Sequence, residues 1–227
     1  MIDKFVASVE AALADIPDGA TVMIGGFGNA GMPAALIDGL IAQGARDLTI
    51  VNNNAGNADA GLAALIKAKR VRKILCSFPR QADSWHFDAL YRAGQIELEL
   101  VPQGTLAERI RAGGAGIGAF FTPTAYGTLL AQDKETRRIG DRDYVLEYPI
   151  HADYALIKAE RADRWGNLVY RKSARNFAPI MAAAAKCTVV QVREKVELGA
   201  LDPELIVTPG IFVKRIVRLA PALQKAA

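Results

Sequence analysis

The chain is poor in the residues from which most metal and nucleophilic sites are built. Among 227 residues there are two cysteines, two histidines and four serines. Cys76 and Cys187 lie far apart with no Cys-x-x-Cys spacing, which argues against a thiolate zinc site and a disulfide framework and fits a reducing cytoplasm. They read as two small core residues. His86 follows Trp85 in a helical pattern and His151 follows a predicted strand; neither has metal-ligand spacing, so no metal is expected. Ser8, Ser77, Ser84 and Ser173 sit in no Gly-x-Ser-x-Gly elbow, which argues against an α/β-hydrolase. Aromatics make up only 7%, and the net charge of +4 is spread over small groups such as Arg70, Arg72 and Lys73. A nucleic-acid partner, which calls for a basic patch interleaved with aromatics, is not expected. No apolar run approaches the roughly 18 residues that cross a bilayer. The segment Met1 to Ala12 carries Asp3, Lys4 and Glu10, unlike a signal peptide, so membrane and secretory destinations are not expected.

Apolar residues, in contrast, are plentiful, at 51% with a mean hydropathy of +0.13, and the length suits one domain spanning 1–227 with a real core. Short apolar runs alternate with stretches of helical period, punctuated by Gly, Pro and Asn. The pattern predicts a helix near Asp3 to Ala14 and a strand Ala20 to Gly25, then a helix opened by Pro33 and stopped at Gly44. A strand Leu48 to Val51, a helix Leu62 to Lys69, a strand Val71 to Cys76, a helix Ser84 to Arg92 and a strand Ile96 to Val101 follow. Thr105 and Glu108 have capping-box spacing for a short helix from Leu106 to Arg111. Strands Tyr144 to Tyr148, Tyr154 to Lys158 and Leu168 to Arg171 come next, the last two joined by Asp163 to Asn167, where antiparallel pairing enters. A helix Ala178 to Ala185 and strands Thr188 to Val192 and Phe212 to Val217 complete an α/β fold: an open, mostly parallel twisted sheet with flanking helices.

In such a sheet ligands bind beyond the carboxyl ends of the strands. Three loops there are rich in glycine and amides. Gly25-Gly26-Phe27-Gly28-Asn29-Ala30-Gly31 follows the first strand, and its Gly26, Gly28 and Gly31 satisfy G-x-G-x-x-G, a composition that brings backbone N–H groups close to an anion. A dinucleotide site would also need an acidic residue at the end of the next strand, where Asn52, Asn53 and Asn54 stand instead. The third loop is Val101-Pro102-Gln103-Gly104-Thr105. A second glycine cluster, Gly113 to Gly118, is assigned to the same rim. An uncharged, amide-rich rim suits holding a carboxylate or a thioester carbonyl, or stabilising an oxyanion, better than it suits proton shuttling. Each feature has a plainer reading: a ligand-free strand-to-helix turn for the first loop, a flexible connection for the second cluster, turn formers or subunit contacts for Asn53 and Asn54, and a helix cap for Gln103. Glu97 and Glu99, alternating with Leu98 and Leu100, read as one solvated or subunit-facing side rather than a catalytic pair.

Asp18-Gly19, Val22-Met23-Ile24, Gly25-Gly26-Phe27 and Gly31-Met32-Pro33 together resemble the N-terminal signature of family I coenzyme A transferases, with every position satisfied. Asn53 to Gly56, Val101 to Arg111, Gly113 to Phe121, Asp163 to Leu168, Lys172 to Phe177 and Thr208 to Gly210 extend the likeness over the whole chain, to the alpha subunit of enzymes acting on 3-oxoacids. Cys76 to Gln81 and Trp165 to Asn167 are most similar to the members that act on 3-oxoadipate, so the resemblance implies that acceptor, with acetoacetate as the alternative. The resemblance implies CoA transfer from succinyl-CoA by a ping-pong route through a glutamyl-CoA thioester. It implies no permanently bound cofactor, with coenzyme A thioesters as substrates. The nucleophilic glutamate belongs to a beta subunit, in a Ser-Glu-Asn-Gly setting that no glutamate of this chain has, Glu197 included, and the assembly implied is an alpha2beta2 heterotetramer. For this chain the resemblance implies that Gln103 stabilises the oxyanion, that Asn53, Asn54 and Gly116 meet substrate, and that Gly25, Gly26, Phe27, Gly28, Asn29, Ala30 and Gly31 form the CoA-linked loop. Two other readings remain at this point, an NAD-dependent oxidoreductase and a non-catalytic acyl- or sugar-binding module.

Overall fold

The first strands form where short runs end at Gly25, Asn52 and Pro102, and helices return the chain between them. The computed structural model describes residues 2–219. The first half runs α1 (Val9–Leu13), β1 (Thr21–Ile24), α2 (Ala34–Gln43), β2 (Leu48–Val51), α3 (Leu62–Lys67), β3 (Val71–Cys76), α4 (Trp85–Arg92), β4 (Glu97–Leu100) and α5 (Gln103–Ala115). The second half continues β5 (Phe120–Thr122), β6 (Thr136–Ile139), β7 (Arg142–Glu147), β8 (Ala152–Ala162), β9 (Leu168–Val169), α6 (Ala178–Ala184), β10 (Ala185–Lys195) and β11 (Arg215–Arg218).

The main sheet has the order β11-β10-β8-β1-β2-β3-β4, with β9 turned back antiparallel on the end of β8. The other pairings in it are parallel, as the alternating pattern predicts. Strand alternation sends Val22, Ile24, Ile50, Ile74 and Leu156 to one face, where α1, α2, α3 and α4 cover them. Met23, Val51, Ala155, Ile157 and Val190 point to the other, against Leu106 and Ile110 of α5 and Met181 and Ala182 of α6. β5, β7 and β6 form a separate antiparallel sheet.

Three local expectations are corrected. Asp3 to Ser8 is not helical: Phe5 pairs in parallel with Ile216, and the backbone N–H of Val6 donates to the Ile216 carbonyl, so only Val9–Leu13 coils, capped by Ser8. Thr105 is no cap, because the helix starts at Gln103; its hydroxyl is buried without a partner and Glu108 pairs with Arg111. The run Gly113–Gly114 does not break that helix. A Cβ on Gly113 would strike the carbonyl oxygen of Ile150, and one on Gly114 would come within 2.7 Å of the Ala183 Cβ, so both glycines let α5 approach its neighbours closely.

A line of charges fastens the small sheet to the edge of the large one. Lys73 and Arg109 both pair with Glu99, at 2.7 Å and 3.0 Å, while the buried carboxylate of Glu147 accepts from Lys134 at 2.6 Å and faces Arg109 at 3.7 Å. Glu97 pairs with Arg72, so the acidic face of β4 is occupied by structural ion pairs. No helix among the described residues is long and apolar enough to cross a membrane.

Candidate functional site

The carboxyl ends of β1, β2, β3 and β4 release four loops onto one rim. After β1, the Gly25 N–H donates to the Leu156 carbonyl at 2.9 Å and extends the ladder by one residue. The chain then folds into a tight turn in which Phe27 and Ala30 exchange backbone hydrogen bonds of 3.0 and 3.1 Å. Gly31 closes the loop at φ +77°, where any Cβ would collide with the carbonyl oxygen of Ala174. Asn176 grips the same corner, its Nδ2 donating to the Ala30 carbonyl at 2.8 Å.

After β2 the three asparagines divide their work. Asn52 Nδ2 donates to the Ile24 carbonyl at 2.6 Å and its Oδ1 accepts the Asn54 N–H, tying the second loop to the first. Asn53 is buried; its carbonyl accepts the N–H groups of Ser77 and Phe78, and its Oδ1 accepts the Ser77 hydroxyl at 2.7 Å. Asn54 Oδ1 accepts the Gly56 N–H at 2.8 Å, yet its Nδ2 is buried with no protein partner. Leaving such a donor unsatisfied costs about 1–3 kcal/mol, which a ligand oxygen would relieve.

Asn54 opens on a cavity of about 520 Å³, within the ordinary range for small-molecule sites. Gly28 and Asn29 form one wall, Gly56, Asn57, Ala58 and Gly61 another, and Met32, Gln81 and Asp83 complete it. Gly28, Asn29 and Asn54 are thus brought together. Gly25, Gly26, Phe27, Ala30 and Gly31 shape the loop without lining the cavity, and Phe27 is exposed. Gln103 stands exposed at the first position of α5 and makes no capping hydrogen bond, outside the cavity wall. Gly116 is separated from the group. It caps the far end of α5, about 20 Å from Gln103 at 1.5 Å per residue, beside segments that enter the opposite ends of β8 and β10. The second glycine cluster is thus carried along α5 away from the cavity: helix packing accounts for Gly113 and Gly114, whereas Gly116, with nothing within 4 Å of a Cβ, is the left-handed cap of the helix at φ +71°.

Sequence pattern alone does not single out Gln81 and Asp83. They lie in the loop after β3, which the strand-end rule covers as much as the other three, but no glycine run draws attention to it. Among the described residues no group of three or more His, Cys, Asp or Glu is placed to hold a metal ion. His86 is occupied at the surface by Asp59 at 2.8 Å, and His151 is exposed. Burial pushes the Cys76 thiol up to about 12, so it is not a nucleophile at neutral pH.

The family model for coenzyme A transferase matches residues 6–219. The chain belongs to the coenzyme A transferase family. It is 67% identical over 222 residues to the A subunit of 3-oxoadipate CoA-transferase from Pseudomonas putida, covering 98% of this chain and 96% of that one. It is 63% identical to the protein of the same name from Acinetobacter baylyi, over the full length of both. The A subunit of succinyl-CoA:3-ketoacid coenzyme A transferase from Xanthomonas campestris shares 50% over 94% of this chain and 88% of its own. In structure, an acyl-CoA transferase from Escherichia coli O157:H7 superposes with a TM-score of 0.86 at 23% identity, over 96% of this chain. The chain spans about half of that longer polypeptide, 47%. Glutaconate coenzyme A-transferase from Acidaminococcus fermentans gives a TM-score of 0.85 at 20% identity, covering 95% of this chain and 75% of that one. Both likenesses establish the shared fold, and membership of the coenzyme A transferases removes the dinucleotide reading of the glycine loop.

Proposed function

We propose that this chain is the alpha subunit of a two-subunit enzyme that moves CoA from succinyl-CoA to a 3-oxoacid, with 3-oxoadipate as acceptor. The observation that carries the reading is the unpartnered Asn54 amide beside a cavity walled by glycine- and amide-rich loops, on a chain of this family that offers no glutamate in a nucleophile's setting. The names of the relatives support the acceptor and the subunit role.

The nucleophile is a glutamate of the beta subunit. Its carboxylate attacks the thioester carbonyl of succinyl-CoA and expels CoA thiolate, leaving a mixed anhydride. The thiolate then attacks the glutamyl carbonyl of that anhydride, succinate departs, and the enzyme holds a glutamyl-CoA thioester. The acceptor carboxylate repeats the two exchanges in reverse. In each tetrahedral step negative charge develops on the carbonyl oxygen, and an uncharged amide donor that needs no reorganisation stabilises it. Gln103, exposed and free of other hydrogen bonds, is that donor; Asn54 Nδ2 takes a substrate carboxylate or carbonyl oxygen, and Asn53 holds the loop after β3 in place. Coenzyme A thioesters are substrates here, and the partner assembly is an alpha2beta2 heterotetramer.

The test is CoA transfer from succinyl-CoA to 3-oxoadipate, with acetoacetate in parallel, for this chain alone and mixed with a beta subunit. Activity only in the mixture, higher with 3-oxoadipate, is the expected result. Equal rates with acetoacetate would overturn the acceptor, and full activity of the lone chain would overturn the subunit role.

A further inference from the structure

The glycine loop carries a cluster of cations on its outer side that the transfer chemistry does not use. Between β9 and α6 the chain forms a single 3-10 turn at Lys172–Arg175. The turn is pressed onto the loop at two points already described, the Gly31–Ala174 contact and the hydrogen bond from Asn176 to the Ala30 carbonyl. Asn176 Nδ2 also donates to the Ser173 carbonyl at 3.0 Å, so one amide fastens the turn and the loop together. Arg171, Lys172 and Arg175 are all exposed on this segment.

These cations differ from most of the molecule's others. Lys67, Arg72, Lys73, Arg80, Arg109, Arg111, Lys134 and Arg215 each hold a carboxylate. Arg171, Lys172 and Arg175 form no ion pair with a carboxylate among the described residues, although three positive charges within five positions repel one another. Lys172 is moreover held at φ +51°, a conformation that a non-glycine residue adopts only when its surroundings impose it. Unpaired charge concentrated on a rigidly seated turn is the arrangement of an anion site, and two arginines in it match phosphate geometry.

We propose that Arg171, Lys172 and Arg175 bind the phosphate groups at the nucleotide end of the acyl-CoA substrate. The assignment rests on the CoA-transfer reading. A CoA thioester carries its pyrophosphate and ribose phosphate at the far end of a pantetheine arm, away from the reacting carbonyl. Its phosphates therefore belong on an exposed surface beside the loop and not within the cavity. Gly28 and Asn29 line the cavity while Ala30 and Gly31 hold the cationic turn, so one short loop joins the two ends of the ligand.

The experiment uses the assembled two-subunit enzyme and the triple variant R171Q/K172Q/R175Q, which keeps polar side chains and removes the charge. Succinyl-CoA is compared with succinyl-pantetheine, which lacks the nucleotide, and binding of 3′-phosphoadenosine 5′-diphosphate is measured by calorimetry. The expected result is a KM for succinyl-CoA raised about tenfold or more, as loss of charge-assisted phosphate contacts implies, with kcat/KM for succinyl-pantetheine unchanged and nucleotide binding weakened in parallel. R142Q, a charge removed from the small sheet, leaves all three values unaltered. Equal losses with both thioesters would show that the turn only supports the loop, and an unchanged KM with unchanged nucleotide binding would also overturn the assignment. A wild-type enzyme that transfers no CoA would sink the functional reading separately, and the calorimetry would still decide whether these cations hold phosphate.

Discussion

Gln103 is exposed where a helix begins and its side chain holds no partner among the described residues, so its contribution to stability is small and its contribution to rate is separable. Gln103→Ala is expected to lower kcat about a hundredfold or more, the effect of deleting one oxyanion donor, with an unchanged melting temperature. Full turnover would remove it from the catalytic apparatus. Cys76 gives a complementary expectation: with its thiol pushed up to about 12 by burial, it stays protonated, and iodoacetamide at pH 7.5 labels it only after denaturation. Rapid labelling of the folded chain would show that β3 opens locally. At this scale the sequence is informative where a residue type is costly to bury. Asn54 is visible as a polar residue at a strand end, whereas Gly116 looks equivalent to the loop glycines because glycine is used both for ligand approach and for left-handed helix caps, and composition does not separate the two.

At the level of elements, α5 and α6 cover one face of the sheet, and their contact depends on the absence of a side chain at Gly114. Gly114→Leu is expected to destabilise the fold by about 1–3 kcal/mol through overpacking, read as a lower midpoint in urea. Replacing exposed Gly118, where a Cβ meets nothing within 4 Å, provides the comparison and should shift the midpoint far less. An equal shift at the two positions would show that chain flexibility and not packing sets the effect. The same helix shows why some elements are legible and others not. The alternation from β1 to β4 is readable because Pro33, Gly44 and Gly94 sit at its turns and each strand is apolar or alternates apolar with charged residues. Helix α5 reads short because Gly113 and Gly114 resemble a break. β6 escapes the sequence pattern because Thr136–Ile139 is exposed throughout and has no inward-facing apolar set. Phe5 and Val6 have helical spacing, but a strand partner more than 200 positions away decides their conformation.

Taken over the whole molecule, the carboxylates are set to resist acid only down to a point. Burial raises the Glu99 carboxyl, but hydrogen bonds from Lys73 and Arg109 outweigh it and hold it below the usual range. Asp15 is lowered by Arg215, and Asp153 by the Thr21 N–H and then Lys186. Groups depressed in the folded state bind fewer protons than in the unfolded chain. Their stabilisation is fully present above about pH 5 and is lost as pH falls through the folded values, below about pH 4. The melting temperature should therefore be level near neutrality and drop steeply in acid, and Glu99→Gln should lower the neutral plateau while flattening the acid limb. A plateau that persists to pH 3 would contradict these assignments.

The parallel bridge between Phe5 and Ile216 sets an order of events in synthesis. With translation running at roughly 5–20 residues per second, the partner of Phe5 leaves the ribosome about 10–40 s after Phe5 itself. During that interval β1 to β4 and their helices can pair among near neighbours, while the first residues wait with their apolar side chains uncovered. β11, the last strand among the described residues, thus closes over the Phe5 segment, and chains arrested before residue 216 expose that segment to chaperones and proteases.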